Sequence, residues 1–330
     1  MSTILKQRIQ GPAAWRGSEL ADTGHWIHHL SADTVTALVA AQRQVAAQGL
    51  TAPAFGKDDF PIPPALVTEI AGWADTLENG QGFLLLRGLP ASQLDEDALA
   101  TIYYGIGLHM GTPVTQNERG DLLGRVMNIG DQNKKSTRVY ETNAYLPYHT
   151  DLSDVVGLLS IRKAQSGGLS SLVSAGAIYN EILEKYPEYL GLLYRPIYFD
   201  HLGEELPSLS PIFSHHAGKL SCRYLRYYIE VGQERRGVQL SRVEVEMLDL
   251  FDAIIHDQHI RLDMMLEPGD IQFANNYAVL HSRTRFEDAE DLAQRRKLLR
   301  LWLKMPNART LAPDFPGRNG IPVRAQQPAY

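Results

Sequence analysis

A histidine and an aspartate stand two positions apart, His149 and Asp151, with Thr150 between them. On an extended strand the side chains of residues i and i+2 point to the same face. An imidazole and a carboxylate placed that way can grip one metal ion. The best candidate for a third ligand is His281, in the stretch LEPGDIQFANNYAVLHSRTRF. Two imidazoles and one carboxylate on one face of a metal leave its other face open. A His-x-Asp tripeptide also occurs by chance on surface strands, so the rest of the chain must support the assignment.

Two further features bear on it. Arg296, Leu298, Arg300 and Trp302 share one face of the last apolar stretch if it is a strand. Two inward arginines among apolar residues are costly unless an anion meets them. Pairing with an internal Asp or Glu is the competing explanation. The Gly167-Gly168 turn is followed by Ser170 and Ser171, and a hydroxyl there could share a carboxylate with an arginine.

The elements that must position these groups are mostly short. Residues 1–30 show little periodicity and read as an irregular arm. Ser31 caps an expected helix to about Gln48, and a second runs from Ala65 to Leu77, ending near Gly80. Phe83–Leu86 reads as a buried strand and Glu96–Ile106 as a third helix. From Gly111 to Tyr148 only Arg125–Ile129 is strand-like, set in long loops. Strands are expected at Leu158–Ile161, Ser170–Ser174, Ile271–Ala274 and Lys297–Leu303. Helices are expected at Ala177–Lys185, from Pro187, and to about His256 behind a Ser241/Glu244 capping box. Residues 196–230 alternate strand-like and turn-like pieces, and 306–330 read as a tail. Short strands without regular β-α alternation favour a mainly β jelly roll or barrel decorated with helices. The expected division is an arm and helical flank at 1–82, a core at 83–305 with a helical insertion around 176–265, and the tail.

With 44% hydrophobic and 21% charged residues, the 330-residue chain suits a globular protein with a substantial core. A net charge of -6 gives no reason to expect a nucleic acid or an anionic membrane as partner. No apolar run approaches a membrane span, and the first residues show no secretory h-region. The single cysteine, Cys222, excludes an internal disulfide and a Cys-rich zinc site. A cytoplasmic location fits. A homo-oligomer is left open.

Taken together, the ordered motifs resemble the taurine dioxygenase-like (TauD/TfdA) branch of the Fe(II)/2-oxoglutarate-dependent oxygenases. The matching pieces are His149-Thr150-Asp151, Gly167-Gly168-x-Ser170, Leu266-Glu267-Pro268-Gly269-Asp270 with Asn276, Leu280-His281-Ser282-Arg283, and Arg296-x-Leu298-Leu299-Arg300-Leu301-Trp302. They run from about residue 83 to 304. The resemblance implies a cupin-like double-stranded β-helix with His149, Asp151 and His281 binding Fe(II). It implies that Arg296 holds the distal carboxylate of the co-substrate 2-oxoglutarate, helped by Ser170 or Ser171, where the family more often has Thr. Arg300 resembles a second family arginine that faces the primary substrate or the co-substrate. The implied reaction uses O2, releases succinate and CO2, and hydroxylates a small organic substrate. Asp151 argues against halogenation, because related halogenases carry a small residue there. Desaturation, epoxidation and cyclisation use the same triad.

Asn128, Asn143, Tyr145, Tyr224, Arg226 and Asn276 are candidates for the substrate pocket, walled by segments 112–145 and 199–228. The bland alternative is polar loop residues facing water. His215-His216 and His256/His259 read as solvated or structural rather than as a second metal site. Two other readings stand beside the oxygenase. A silent metal-binding or sensing protein would not need Arg296. A zinc hydrolase would need a general base, and none is obvious.

Overall fold

The computed structural model describes residues 4–21, 24–129, 141–200 and 205–323. Two sheets carry the site. The larger runs in the order Ile27–His29, Phe83–Arg87, Ile271–Asn275, Val155–Arg162, Lys297–Lys304 and Thr112–Pro113, and Leu123–Met127 also pairs with Lys297–Lys304. The smaller runs Leu262–Met264, Ser170–Ser174, Val279–Arg283 and Leu146–His149. From Leu146 onward the six core strands alternate between the sheets, with Leu262–Met264 added at the edge of the smaller one. Leu146–His149, Ser170–Ser174 and Val279–Arg283 lie in the smaller, while Val155–Arg162, Ile271–Asn275 and Lys297–Lys304 lie in the larger. This winding gives the expected double-stranded β-helix.

Strand alternation decides what fills each layer. In the last strand Leu298 and Trp302 enter the inter-sheet cluster with Phe83, Leu85, Val126, Val156 and Leu172. Leu299, Leu301 and Leu303 face the opposite way, into a cluster with Leu38, Trp73, Leu99 and Ile102. Those four residues belong to helices Ala32–Ala47, Pro64–Asn79 and Glu96–Met110. Because both faces are covered, the strand is apolar between its terminal lysines, Lys297 and Lys304, except at Arg300. The outer face of the smaller sheet packs Val173 and Leu280 against Ile178, Leu248 and Phe251 of helices Ala175–Lys185 and Arg242–His256. Caps fix the helix starts. Ser31 accepts from Thr34 N, and Ser241 and Glu244 form the expected box.

The structure departs from the sequence reading in several places. Ile27–His29 is a strand, parallel to Phe83–Arg87, where an irregular arm was expected. The 96–106 helix continues to Met110, where Gly111 ends it. Arg226–Arg235 is a helix inside a stretch read as strands and turns. Residues 306–323 are packed rather than loose, with Phe315 and Ile321 wholly buried. A three-residue strand has too little pattern of its own, and an available sheet edge decides it. No helix among the described residues is long and apolar enough to cross a membrane.

Candidate metal centre

His149 and His281 are direct cross-strand neighbours in the antiparallel pair Leu146–His149/Val279–Arg283. Opposed residues on one face of a sheet bring their side chains together, and the two imidazole centroids lie 4.2 Å apart. Asp151 is not on the strand, although the His-x-Asp spacing predicts one there. The strand stops at His149, and Asp151 lies two residues into the following loop. Its backbone N–H donates to Asn276 Oδ1 at 2.9 Å, and Asn276 Nδ2 donates to the Ser153 carbonyl at 3.0 Å. A buried asparagine thus fixes the turn that the strand does not. Asp151 Oδ1 lies 3.7 Å from His149 Nε2, and Oδ2 lies 3.4 Å from His281 Nε2. One ligand atom from each residue falls within 4.8 Å of the others, the only such group of three among the described residues.

The protonation states suit a cation. His149 Nδ1 sits 2.8 Å from the Pro147 carbonyl, which favours the tautomer with Nε2 free to ligate. Burial, followed by the charge of His281, pushes His149 down to about 4, so it is neutral at pH 7. Burial alone would raise the Asp151 carboxyl. The hydrogen bond with His281 and the charge of Arg300 outweigh it and hold the carboxyl far below its usual range. His281 Nδ1 is buried with no hydrogen-bond partner among the described residues. Two imidazoles and a carboxylate, clustered and buried, fit a divalent transition metal.

The triad opens into a cavity that Arg283, Arg296, Arg300, Ser170 and Ser282 share with Val126, Leu146, Val156, Leu158, Leu266 and Leu298. Arg296 is 6% exposed, and its guanidinium has no hydrogen-bond or ion partner among the described residues. Burial, then the charge of Arg283, pushes it down to about 9, which still leaves a cation at neutral pH. The Gly167-Gly168 turn makes room for it. A Cβ on Gly168 would lie 3.1 Å from Arg296 Nε, and one on Gly167 would meet the Arg285 carbonyl at 2.2 Å. Both glycines have φ of +71°, where L side chains are strained.

Other candidates fall elsewhere. Ser170 lines the cavity and donates to Gln272 Oε1 at 2.9 Å. Ser171, next along the strand, points to the opposite face, where it bonds Tyr148 and Asp263 at 2.5 Å each. Alternation removes Ser171 from the pair of hydroxyls first considered. Arg300 lines the cavity and donates from Nε to Gln116 Oε1 at 2.7 Å. None of the six substrate candidates lines the cavity. Tyr224 is buried, stacks on Phe251 and donates to Asp252. Arg226 is tied to Glu230, Asp249 and Asp252. Asn276 supports Asp151 as described, and Tyr145 bonds His256. The carbonyls of Asn128 and Asn143 accept from Arg295 and from the Phe286 backbone. Each is held by a structural partner that the sequence could not show. Residues 130–140 and 201–204 of the expected walls lie outside the described residues.

Arg283 was not singled out for a role, although it stands two positions after His281 on the same strand. Its Nη2 donates to the carbonyls of Thr142 and Ala144 at 2.9 and 2.5 Å, which anchors the loop entering the metal strand. Arg283 and Arg296 each lie over the Phe286 ring, at 4.7 and 5.2 Å. The i+2 spacing could have found Arg283.

Comparison with known proteins agrees with this geometry. Residues 46–302 match the family described as Taurine catabolism dioxygenase TauD, TfdA family. The chain is 35% identical to FR-33289 synthase of Streptomyces rubellomurinus over 94% of both chains. It is 25% identical to the taurine hydroxylase-like protein SAT17 of Stachybotrys chartarum, over 90% of this chain and 80% of that one. Among solved structures, asparagine oxygenase with Fe(II), 2S,3S-3-hydroxyasparagine and succinate superposes with a TM-score of 0.67 at 16% identity, covering 84% of this chain and 94% of the other. The non-heme iron oxygenase OrfP with Fe and alpha-ketoglutaric acid superposes at 0.62 with 14% identity, covering 84% and 94%. With the match spanning most of the chain and the ligand cluster standing where the motifs require it, this protein belongs to the TauD/TfdA family of Fe(II)/2-oxoglutarate-dependent dioxygenases.

Proposed function

We propose that His149, Asp151 and His281 hold the iron, that Arg296 with Ser170 anchors 2-oxoglutarate, and that the product is a hydroxylated small organic molecule. One observation carries the reading. Three clustered ligands and a buried guanidinium without a partner open into the same cavity. When bound, iron with 2-oxoglutarate and O2 supplies an oxidant able to hydroxylate a C–H bond, leaving succinate and CO2.

The chain's own residues account for the rest. Arg296 offers a planar fork that meets a carboxylate through two parallel hydrogen bonds. It stands immediately before the strand Lys297–Lys304 and lines the same cavity as Leu298 and Arg300 of that strand, so the anchor and the ligands are held by the same pair of sheets. Apolar Val126, Leu158, Leu266 and Leu298 exclude water and strengthen each charge pair inside the cavity. Ser170 already gives its hydroxyl proton to Gln272, so it helps a carboxylate only by turning away from that bond. Arg300, held by Gln116, is left to steady Asp151 or to meet the primary substrate.

The solved relatives support hydroxylation and a small substrate. One holds 3-hydroxyasparagine with succinate, and OrfP holds (3S)-hydroxy-L-Arg with succinate. The division into a flank at 1–82, a core at 83–305 and a tail remains our reading, supported by the shared cluster that joins the flank helices to the larger sheet. A cytoplasmic location is proposed on the lone, buried Cys222.

The test is anaerobic reconstitution with Fe(II), followed by 2-oxoglutarate and O2. Succinate should form only when all three are present, and a panel of small substrates should raise its rate. Succinate formation that survives His281→Ala would sink the assignment.

A further inference from the structure

Trp302 has a role that the metal motif does not assign. Its indole N–H donates to Asp151 Oδ2 at 3.0 Å. The ring is buried, 3% exposed, and the indole has a single donor that usually finds an acceptor when buried. Of the protein's four tryptophans, Trp15 and Trp26 satisfy theirs on the Gln81 and Leu20 carbonyls, and Trp73 Nε1 has no partner among the described residues. Trp302 alone, among the described residues, spends its donor on a carboxylate, and that carboxylate belongs to the ligand cluster.

The tryptophan is itself held. The Arg300 guanidinium lies 4.8 Å over its ring. Arg300 Nε donates to Gln116 Oε1, and Gln116 Nε2 bonds the Leu122 and Arg300 carbonyls at 2.8 Å each. Gln116 is 1% exposed and fits because residue 124 is glycine, where a Cβ would stand 2.7 Å from its Oε1. A chain of fixed groups therefore runs from Gln116 through Arg300 and Trp302 to Asp151.

Asp151 needs such support. It lies past the end of its strand, so no ladder fixes its side chain. Asn276 holds only its backbone. Groups behind a metal ligand orient it, and their loss typically weakens metal affinity by about 10–100-fold. We propose that Trp302 is the positioning residue for the Asp151 carboxylate, occupying one lone pair of Oδ2 and holding the group ready before the metal arrives. This rests on the triad being the metal site.

The experiment titrates metal-stripped full-length protein with Co(II), without co-substrate, by calorimetry and visible absorption. Trp302→Phe keeps an aromatic ring and loses the N–H. Its Co(II) affinity should fall about 10-fold or more, with an altered visible spectrum. Trp15→Phe is the matched control. It lies in the same buried cluster and loses an equivalent N–H bond, made to the Gln81 carbonyl rather than to Asp151, so its affinity should equal wild type. Equal affinities in wild type and Trp302→Phe, or equal losses in both variants, would overturn the proposal. Should Trp302→Phe not fold, 15N-indole-labelled wild type gives the answer. Zn(II) should shift one of four indole resonances well beyond the others, and four unmoved resonances overturn it. Wild type that binds no Co(II) would instead bring down the triad assignment itself.

Discussion

Two buried arginines in this protein live under opposite conditions. Arg309 lies against Glu78, which also takes Lys219 and the Asn275 amide. The hub joins helix Pro64–Asn79, the Phe213–His216/Lys219–Cys222 hairpin, the larger sheet and the 306–323 segment, and every charge in it is answered. Arg296 is as deeply buried and its guanidinium makes no ion pair among the described residues; the Asp288 carboxylate, which accepts from its backbone N–H, only partly offsets the burial. Burial depresses both guanidiniums. A buried charge with a partner serves the fold, and one without a partner waits for something the chain does not contain.

The largest effects are expected at the metal ligands. His149→Ala, Asp151→Ala and His281→Ala should each cut Fe(II)-dependent succinate formation more than ~100-fold, beyond what a residue behind a ligand achieves. Circular dichroism should stay native, because the packing is carried by apolar residues. Full activity in any one of them removes that residue from the site.

Next come the two arginine environments. Glu78→Ala strands Arg309 and Lys219, and should cost about 3–5 kcal/mol in a urea titration, with little change in the KM for 2-oxoglutarate. Arg296→Met should do the reverse. It removes an unanswered buried cation, so ligand-free stability should hold or rise, while binding of 2-oxoglutarate collapses. Arg296→Lys should raise that KM about 10-fold or more, since an ammonium cannot reproduce the paired fork. If Arg300→Lys raises it and Arg296→Lys is silent, the two roles are exchanged.

Smaller still is Ser170→Ala. One neutral hydrogen bond is worth roughly 0.5–1.5 kcal/mol, so the KM for 2-oxoglutarate should change by only a few-fold. A much larger effect would make the hydroxyl, rather than Arg296, the main anchor.

The smallest effect lies outside both regions. His109 Nε2 sits 2.8 Å from the Phe60 carbonyl, and burial lowers its pKa below the usual value. The unfolded chain then binds the proton more readily, so stability is fully present above about pH 6.5 and declines as pH falls below it. His109→Gln should flatten the decline in Tm between pH 7 and 5. An unchanged slope would assign that acid sensitivity to other groups.

Much of this molecule was legible in the sequence because its signals are local. Ser31, Gly80 and the Ser241/Glu244 box set helix ends through bonds to their own backbone neighbours. Apolar runs such as Phe83–Arg87 announce strands covered on both faces. The triad, the Gly167-Gly168 turn and Arg296 were readable as ordered motifs, and the family match bears out that resemblance. Many short strands without β-α alternation pointed to a jelly roll or barrel, and the resemblance to the family, which the family match bears out, supplied the double-stranded β-helix.

Only the tertiary structure decided the rest, because it depends on pairings across more than a hundred residues. The cross-strand register sets His281 against His149, and Asn276 pins Asp151 after its strand has ended. Alternation sends Ser170 to the cavity and Ser171 away from it, which a pair of adjacent serines cannot disclose. Asp252 claims Tyr224 and Arg226, and Gln116 claims Arg300, from distant parts of the chain. Residue types and spacing along the chain state which chemistry is available. Which polar groups are already satisfied, and which are left for a ligand, is fixed only when the sheets close.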